Sequence, residues 1–359
     1  MLQNESDLEL SHILIEWYNE NKRNLPWRNT NNPYVIWISE VILQQTRVIQ
    51  GLDYFNRFIG RFPDVASLAA ASEDEVLKYW QGLGYYSRAR NLRMAAQDIM
   101  NRFGGTFPDV YQDILSLKGI GEYTAAAIAS FSWNKPFPVV DGNVFRVLSR
   151  LYGMNVPIDT TEGKKQFSSL AGLIMDKSQA GVHNQAIMEF GALQCVPQNP
   201  DCLKCPLIHK CVANATNKIE LLPVKQGKTK TRNRFFYYLY VTCKGKTWLH
   251  RREEKDIWTG LYEFPLIETD RAMDFTELQQ TKGFRRLFND AGKLDISIGM
   301  ENIKHVLSHQ IIYATFYKIE IERETDALRN FSILSCEELE KYAVPRLIHI
   351  YLEKLGRNL

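Results

Sequence analysis

Four of the six cysteines in this 359-residue chain lie within 17 residues, and this cluster constrains the fold more than any other sequence feature. The spacing Cys195-x6-Cys202-x2-Cys205-x5-Cys211 allows four thiolates to surround one compact centre. Disulfides are typical of small secreted domains, and zinc sites of this class usually pair two Cys-x2-Cys knuckles, whereas only one is present here. The spacing therefore favours one [4Fe-4S] cluster, held by the loop 195–211, over the zinc and disulfide alternatives.

Length and composition limit the class of protein. At roughly 150 residues per domain, 359 residues predict two domains. A chain that is 45% hydrophobic and 24% charged can bury a core, which excludes collagen-like and disordered proteins. A net charge of +3 tolerates an anionic partner without proving one. The first residues carry no basic start followed by an apolar run, and no stretch of 18 apolar residues occurs, so we expect a cytoplasmic protein without a membrane partner.

The chain changes character near residue 218. Residues 1–217 carry helical periodicity interrupted by Gly and Pro, including one predicted helix over 34–58. Residues 218–234 are basic and are predicted to form a linker that could touch phosphates. Residues 235–359 are predicted to form a smaller α+β domain. Within it we predict strands over 235–242, 247–251 and 310–321 and a helix over 275–290.

Two carboxylates stand in uncharged surroundings. Glu40 is the only charged residue between Tyr34 and Thr46, and burial in an apolar pocket would raise its pKa toward that of a neutral-pH general acid. Asp141 precedes a predicted helix, where the helix N-terminus favours its ionised form. Singly, each could be a solvated glutamate or a simple helix cap. Together, they match the acid and electrostatic partner of glycosyl chemistry.

Two glycine-containing turns predict contacts with an anionic backbone. Gly119 and Gly121 lie between two predicted helices, within a helix-hairpin-helix at about 110–131, where the following N–H groups could hold a DNA phosphate. A plain helical corner is the alternative for this turn alone. A second turn around Tyr85 leads into Arg88 and joins aromatic side chains to cations, which suits base stacking beside phosphate contacts.

Taken together, these motifs resemble the helix-hairpin-helix DNA glycosylases, and within them the adenine DNA glycosylase (MutY) family. The resemblance spans nearly the whole chain and rests on these segments: Leu25-Pro26-Trp27-Arg28, Ser39-Glu40-Val41-Ile42-Leu43-Gln44-Gln45-Thr46, Gly82-Leu83-Gly84-Tyr85-Tyr86, the hairpin, Val140-Asp141-Gly142-Asn143-Val144 and the cysteine loop. Tyr123 stands where the bifunctional endonuclease III branch has its catalytic lysine, which implies a monofunctional enzyme. The C-terminal part resembles a Nudix module but lacks the glutamate-rich box after Pro265, and Leu307 stands where the family commonly has Phe.

The resemblance assigns roles to individual residues. Glu40 and Asp141 would be the catalytic carboxylates, supported by Tyr123 and Asn143, with a covalent adduct at Asp141 as one route. Ser308 would recognise the 8-oxo face of the opposite base. The remaining assignments are Arg23, Trp27, Arg28 and Gln185 to the adenine pocket, Gln45, Thr46, Leu83 and Tyr85 to the opposite base, and Gly119, Gly121 and Arg88 to the DNA backbone.

The function implied is hydrolysis of the N-glycosidic bond of adenine mispaired with 8-oxoguanine or guanine in double-stranded DNA. Adenine must be flipped out because the bond is inaccessible within the stack. The resemblance also implies a monomer that works at the bacterial nucleoid in the cytoplasm. Three alternatives remain at this stage: a bifunctional pyrimidine glycosylase and lyase, a non-catalytic cluster protein that binds mispairs, and a nucleotide hydrolase acting through the C-terminal domain.

Overall fold

A computed structural model describes residues 5–227, 231–253 and 256–356 of the chain. The helices are α1 (Glu5–Asn21), α2 (Pro33–Leu43), α3 (Val48–Arg61), α4 (Val65–Ala70), α5 (Glu73–Trp80), α6 (Ser87–Phe103), α7 (Tyr111–Ser116), α8 (Glu122–Trp133), α9 (Gly142–Tyr152), α10 (Thr161–Ile174), α11 (Ala180–Leu193), α12 (Val212–Ala215), α13 (Phe275–Gln280), α14 (Lys282–Phe288) and α15 (Arg346–Lys354). The strands are β1 (Arg232–Cys243), β2 (Lys246–Arg251), β3 (Tyr262–Glu263), β4 (Leu266–Thr269), β5 (Leu294–Val306), β6 (Gln310–Ile321) and β7 (Ser332–Ser335). Within the described ranges, no helix has the length and apolar character needed to cross a membrane.

The chain divides into two compact units. The first comprises residues 1–70 and 91–227, and the second comprises residues 71–90 and 228–359. The segment 71–90 therefore groups with the C-terminal residues, which the sequence did not indicate. The predicted boundaries at residues 217 and 234 remain predictions, and Lys228 and Lys230 of the predicted linker lie outside the described residues.

The first unit is helical and is centred on α2, α8 and α11. The side chains of α2 are buried from Ile36 to Ile42, so this helix runs through the interior and not along the surface. The alanines 125–127 and 129 of α8 are fully or almost fully buried, and their small side chains allow α2 and α11 to pack closely against it. An interior helix of this kind places any polar side chain it carries out of bulk water.

The helix predicted over 34–58 is wrong, because the chain leaves the helical conformation in the middle of that segment. Helix α2 ends at Leu43 and α3 begins at Val48. Between them Gln45 has φ of 57°, which an α-helix cannot contain. No Gly or Pro marks this break, so the apolar periodicity seemed continuous. The break exposes the Gln44–Arg47 loop at the end of a buried helix.

The second unit is built on a mixed sheet with the strand order β3-β2-β1-β6-β5, in which β4 pairs with β1 and β7 pairs with β2. Strands β1 and β6 are parallel, with Phe236 opposite Ala314, and the other pairings are antiparallel. All three predicted strands are confirmed as β1, β2 and β6. The predicted helix over 275–290 is instead the pair α13 and α14, because Thr281 has extended backbone and caps α14.

Candidate active site

The predicted catalytic residues line one pocket of about 790 Å³ in the first unit. Glu40 comes from α2, Tyr123 from the first turn of α8, and Asp141 and Asn143 from the start of α9. Glu40 lies 83 positions before Tyr123 and 101 before Asp141, and the three residues meet because three helices converge here. The other lining residues are Arg23, Leu25, Trp27, Arg28, Leu43, Gln44, Gln45, Thr46, Arg47, Val48, Ile49, Gly142, Arg146, Met188, Glu189, Ala192 and Pro197.

Glu40 is held in a dry environment. Its side chain is 6% exposed on the interior helix α2, and the hydroxyl of Tyr123 donates a hydrogen bond to its Oε2. Burial raises the pKa of Glu40, and this effect outweighs the opposing influence of Tyr123 and of the Arg28 guanidinium. A carboxyl group with a raised pKa keeps its proton closer to neutral pH. Glu40 can therefore act as a general acid.

Asp141 caps helix α9 and is oriented by its neighbours. Its Oδ1 accepts a hydrogen bond of 2.8 Å from the Val144 backbone N–H, and its Oδ2 accepts one of 2.9 Å from Asn143 Nδ2. These bonds fix both carboxylate oxygens relative to the pocket. Asn143 is itself held, because Arg146 Nη2 donates to its Oδ1 at 2.9 Å. The aspartate is thus positioned through a short chain of side chains along α9.

The expectation that Asp141 is held ionised by its helix N-terminus needs correction. Burial raises the pKa of Asp141, and the hydrogen bonds from Val144 and Asn143 oppose this effect without reversing it. The two carboxylates are therefore not separated by opposite shifts in pKa. What distinguishes them is their hydrogen-bond partners, since Glu40 accepts from a tyrosine hydroxyl and Asp141 from a backbone N–H and an amide.

Glu189 is a pocket residue that the sequence analysis missed. Its side chain is fully buried and accepts hydrogen bonds of 2.7 Å from Arg23 Nε and Nη2 and one of 3.1 Å from Arg28 Nη2. Burial by itself would raise the pKa of Glu189, but the two arginines together lower it. The carboxylate fixes two cationic side chains that face the pocket. Its partners are more than 160 positions away, but a local signal was present, because Glu189 is the only Asp, Glu, Lys or Arg between Lys177 and Asp201.

The other predicted pocket residues have different surroundings. Trp27 is 5% exposed and packs edge-on against Phe55, with ring centroids 5.0 Å apart, so most of its ring serves the core. Gln185 lies on α11 one turn before Met188 and Glu189 and does not itself line the pocket. Gln45 and Thr46 line it from the loop after α2.

Gly191 sets the distance between α9 and α11. A Cβ atom at this position would lie 2.7 Å from Asn143 Cβ and 3.0 Å from the Asn143 carbonyl oxygen. Both neighbours belong to the start of α9, which cannot shift without moving Asp141. Only glycine therefore permits this approach of the two helices at the pocket.

The hairpin turn precedes α8. Gly119 has φ of 79°, and a Cβ there would lie 2.6 Å from Asn91 Cβ, so both the backbone and the space require glycine. Gly121 has φ of −99° and precedes the first residue of α8. The N–H groups of this helix start suit an anion.

The four clustered cysteines line one small cavity of about 30 Å³ in the first unit, and all four are free thiols. Arg150, which is 2% exposed, donates to Cys195 Sγ at 3.5 Å and to the Val196 carbonyl at 2.7 Å. Among the described residues, no group of three or more His, Cys, Asp or Glu side chains is arranged to hold a metal ion. The four thiols line one cavity beside the buried Arg150 guanidinium, and this arrangement fits a polynuclear group bound by all four of them.

Leu83, Tyr85 and Ser308 line a different pocket, of about 730 Å³, in the second unit. The hydroxyl groups of Tyr85 and Ser308 are hydrogen-bonded at 2.6 Å, and Tyr85 has φ of 47°. Arg88 turns back onto this loop, because its Nη2 donates to the carbonyl oxygens of Leu83 and Gly84 at 3.4 and 3.2 Å. Burial lowers the pKa of Arg88 to about 10. Contact of Arg88 with a DNA backbone stays a prediction.

Comparisons with known proteins agree with this architecture. Residues 38–171 match the HhH-GPD superfamily of base excision DNA repair proteins, and residues 237–354 match the NUDIX domain. A solved structure of a thermostable thymine-DNA glycosylase is 27% identical, with a TM-score of 0.55, over 59% of this chain and 98% of that one. An endonuclease III in a non-covalent DNA complex, 22% identical with a TM-score of 0.51 over 60% of this chain and 99% of that one, shares the fold. Fold and pocket together define a base excision repair glycosylase with a NUDIX domain.

Relatives identify the branch of that class. An adenine DNA glycosylase of Buchnera aphidicola subsp. Schizaphis graminum is 38% identical over 260 residues, which cover 72% of this chain and 75% of that protein. Another, from Buchnera aphidicola subsp. Baizongia pistaciae, is 34% identical over 84% of this chain and 83% of that protein. The human adenine DNA glycosylase is 40% identical over 56% of this chain and 38% of that protein. The chain belongs to the adenine DNA glycosylase family.

Proposed function

We propose that this chain releases adenine mispaired with 8-oxoguanine or guanine in double-stranded DNA, as a monofunctional glycosylase. The observation that carries the proposal is the buried carboxyl of Glu40, hydrogen-bonded to Tyr123 in the pocket that also contains Asp141. A flipped adenine is a poor leaving group until a ring nitrogen is protonated, and a neutral buried carboxyl is suited to supply that proton.

In the proposed mechanism, Glu40 donates its proton to adenine N7 as the N-glycosidic bond breaks. Tyr123 remains hydrogen-bonded to Oε2, which holds the carboxyl in place while its charge develops. The sugar gains positive charge on its ring oxygen and anomeric carbon, and Asp141 in its ionised form stabilises this charge or forms a covalent adduct. Glu40, now ionised, then accepts a proton from the attacking water.

The cationic side of the pocket orients the base. Arg23 and Arg28 are locked on Glu189, so their positions are fixed before the substrate arrives. Side chains that are already fixed lose little conformational entropy when the substrate binds. Trp27, Gln185, Gln45 and Thr46 keep their predicted roles around the flipped adenine and the gap it leaves.

The cysteine loop is proposed to hold one [4Fe-4S] cluster through Cys195, Cys202, Cys205 and Cys211. Adenine and endonuclease III-like glycosylases are generally associated with an iron–sulfur cluster. When bound, the group would cross-link the loop, and it supplies no step of the glycosyl chemistry. Arg150 places positive charge beside Cys195.

Anaerobically purified protein should contain about four iron atoms per chain. Cys202→Ser should lose most of that iron, because one of the four ligands is removed. Cys243→Ser is the matched control, since Cys243 is a buried cysteine of the second unit and should leave the iron content unchanged. Iron and zinc are measured by mass spectrometry on the same samples. Stoichiometric zinc in the wild-type protein would overturn the assignment.

The proposed function is tested by single-turnover release of adenine from duplexes that contain A:8-oxoG, A:G or A:T. We expect fast release opposite 8-oxoguanine, slower release opposite guanine and little opposite thymine.

Ser308→Ala should reduce the preference for 8-oxoguanine over guanine by roughly tenfold, because a hydrogen bond to one base edge contributes about 1 to 3 kcal/mol. Ser297→Ala, an exposed serine on β5 outside the pocket, is the control.

Two results would contradict the proposal. Binding of all duplexes without release of any base would indicate a non-catalytic protein. Borohydride trapping of an enzyme–DNA Schiff base would indicate a bifunctional lyase. We expect no such trapping, because Tyr123 has no amine with which to form a Schiff base. An unchanged preference in Ser308→Ala would refute only the role of Ser308.

We further propose that the protein acts as a monomer on the chromosome in the cytoplasm of a bacterium. Gel filtration of its complex with a mispaired duplex would check that the protein is a monomer.

A further inference from the structure

Tyr18 lies behind the adenine side of the pocket and joins two of its predicted residues. Its hydroxyl donates a hydrogen bond of 2.6 Å to Gln185 Oε1 and accepts one of 3.2 Å from Arg28 Nη1. The same guanidinium lies 5.7 Å from the Tyr18 ring centroid and also donates to Glu189. Tyr18 is 4% exposed, so water does not compete for its hydroxyl. Nothing in the local sequence of α1 distinguishes it from a core aromatic.

The direction of these hydrogen bonds follows from the chemistry of the partners. A guanidinium can only donate, so the Tyr18 oxygen accepts from Arg28 and its single proton is left for Gln185. That proton requires an acceptor, which is the carbonyl oxygen of the Gln185 amide and cannot be its amino group. Arg28 also donates to the buried carboxylate of Glu189. The donor and acceptor of each hydrogen bond from Glu189 through Arg28 and Tyr18 are therefore fixed.

The orientation of the amide determines what Gln185 presents to the base. With Oε1 bonded to Tyr18, the amino group Nε2 lies at the opposite end of the planar amide. Gln185 shares a face of α11 with Met188, Glu189 and Ala192, because residues three, four and seven positions apart align on a helix. Those three residues line the pocket. Gln185 lies one turn before these residues on the same helix face without itself lining the pocket, so a base that contacts its amide must extend beyond the space they line.

We propose that Tyr18 is a positioning residue that selects for adenine by fixing the Gln185 amide with its amino group available to N1 or N3 of the flipped base. The inference rests on the proposed function, in which N7 receives the proton from Glu40 and only N1 and N3 remain as ring acceptors. A reversed amide would place its carbonyl oxygen against a nitrogen lone pair, which is repulsive. Without the Tyr18 hydroxyl, both orientations are populated.

The test compares Tyr18→Phe with a matched control. Tyr34→Phe removes the hydroxyl of another tyrosine that is 4% exposed in the same unit, where it donates a 2.6 Å hydrogen bond to the Phe62 carbonyl. Tyr34→Phe loses one buried hydrogen bond and Tyr18→Phe loses two, so both variants should lose melting temperature, Tyr18→Phe somewhat more. Tyr18→Phe should reduce the single-turnover rate of adenine release about tenfold, as the loss of one ordered hydrogen bond implies. Tyr34→Phe should leave the rate near that of the wild type.

A double-mutant cycle tests whether Tyr18 acts through Gln185. In a Gln185→Ala background, Tyr18→Phe should have little further effect on the rate, because the group that Tyr18 orients is gone.

A second test measures the rate on altered bases. Duplexes that carry 1-deazaadenine or 3-deazaadenine each lack one of the two ring acceptors. The effect of Tyr18→Phe should vanish for one of these bases and persist for the other.

The outcomes separate the proposal from the proposed function. A wild-type protein that releases no adenine refutes both. An active wild type with equal rates in Tyr18→Phe and Tyr34→Phe refutes the role of Tyr18 alone. Losses that add fully in the double mutant, or equal losses on adenine and on both deaza bases, also overturn it, since they would place the effect outside the Gln185 amide.

Discussion

Glu40→Gln is expected to abolish most adenine release while leaving binding to mispaired duplexes intact. The glutamine keeps the size of the side chain and can still accept the hydrogen bond from Tyr123, but its amide cannot transfer a proton to the leaving base. A positioned general acid contributes roughly 10²- to 10⁴-fold, so the single-turnover rate should fall by about three orders of magnitude. Binding measured by fluorescence anisotropy should change by less than about threefold, within the roughly 0.5 kcal/mol typical of a harmless substitution.

The pH dependence provides a second signature of Glu40. Because burial raises its pKa, the wild-type rate should fall as the pH rises through the raised pKa of Glu40, and it should also fall at low pH, where Asp141 loses the charge that the mechanism requires. The folded state holds this proton more tightly than the unfolded state, so the free energy of unfolding should also fall as the pH rises above the ordinary carboxyl pKa. Glu40→Gln should remove the fall of the rate at high pH and the part of the stability change that comes from Glu40, whereas the part from Asp141 should remain. A variant that retained near wild-type rates would exclude Glu40 as the acid.

Asp141→Asn should have the second large effect. The asparagine oxygen can still cap α9 by accepting from Val144 N–H, but the negative charge that would stabilise the developing cation on the sugar is lost. Removal of one such electrostatic group costs about 10²- to 10³-fold in rate. Single-turnover release from an A:8-oxoG duplex measures the loss, with binding followed in parallel.

Asp274→Asn is the matched control for Asp141→Asn. Asp274 is also a helix N-cap, accepting from the Glu277 N–H at 2.8 Å at the start of α13, but it lies in the second unit and lines neither pocket. The same chemical change there should leave adenine release near that of the wild type. Comparable losses in both variants would mean that capping, and not charge beside the sugar, explains the effect.

Both carboxylates could be singled out as candidates from the sequence because each is a lone charge in an apolar segment. Glu40 had no charged neighbour to account for it, and Asp141 stood directly before a helix, so their chemistry could be predicted locally. The same reasoning would have singled out Glu189, which is the only Asp, Glu, Lys or Arg between Lys177 and Asp201. What the sequence could not supply is its partners, because Arg23 and Arg28 are distant along the chain and meet it only in the fold.

Local patterns also misjudged two features that depend on the assembled fold. The break at Gln45 carries no Gly or Pro, and the left-handed conformation is imposed where α2 must end and α3 begin. The pKa of Asp141 was expected to follow the helix N-terminus, but the depth of the pocket contributes more than the helix does. Burial is a property of the whole unit, so neither periodicity nor capping rules could supply it.

Gly191 sets how closely α11 can approach the start of α9, and the limit can be given as a distance. The missing methyl group brings α11 against the start of α9, and a Cβ would need to displace Asn143 from 2.7 Å to an ordinary contact near 3.4 Å or more. That displacement would separate the helix bearing Glu189 from the helix bearing Asp141, and it would thereby widen the pocket between the two arginines held by Glu189 and the Asp141 carboxylate. The absence of one carbon atom at Gly191 therefore sets the width of this pocket.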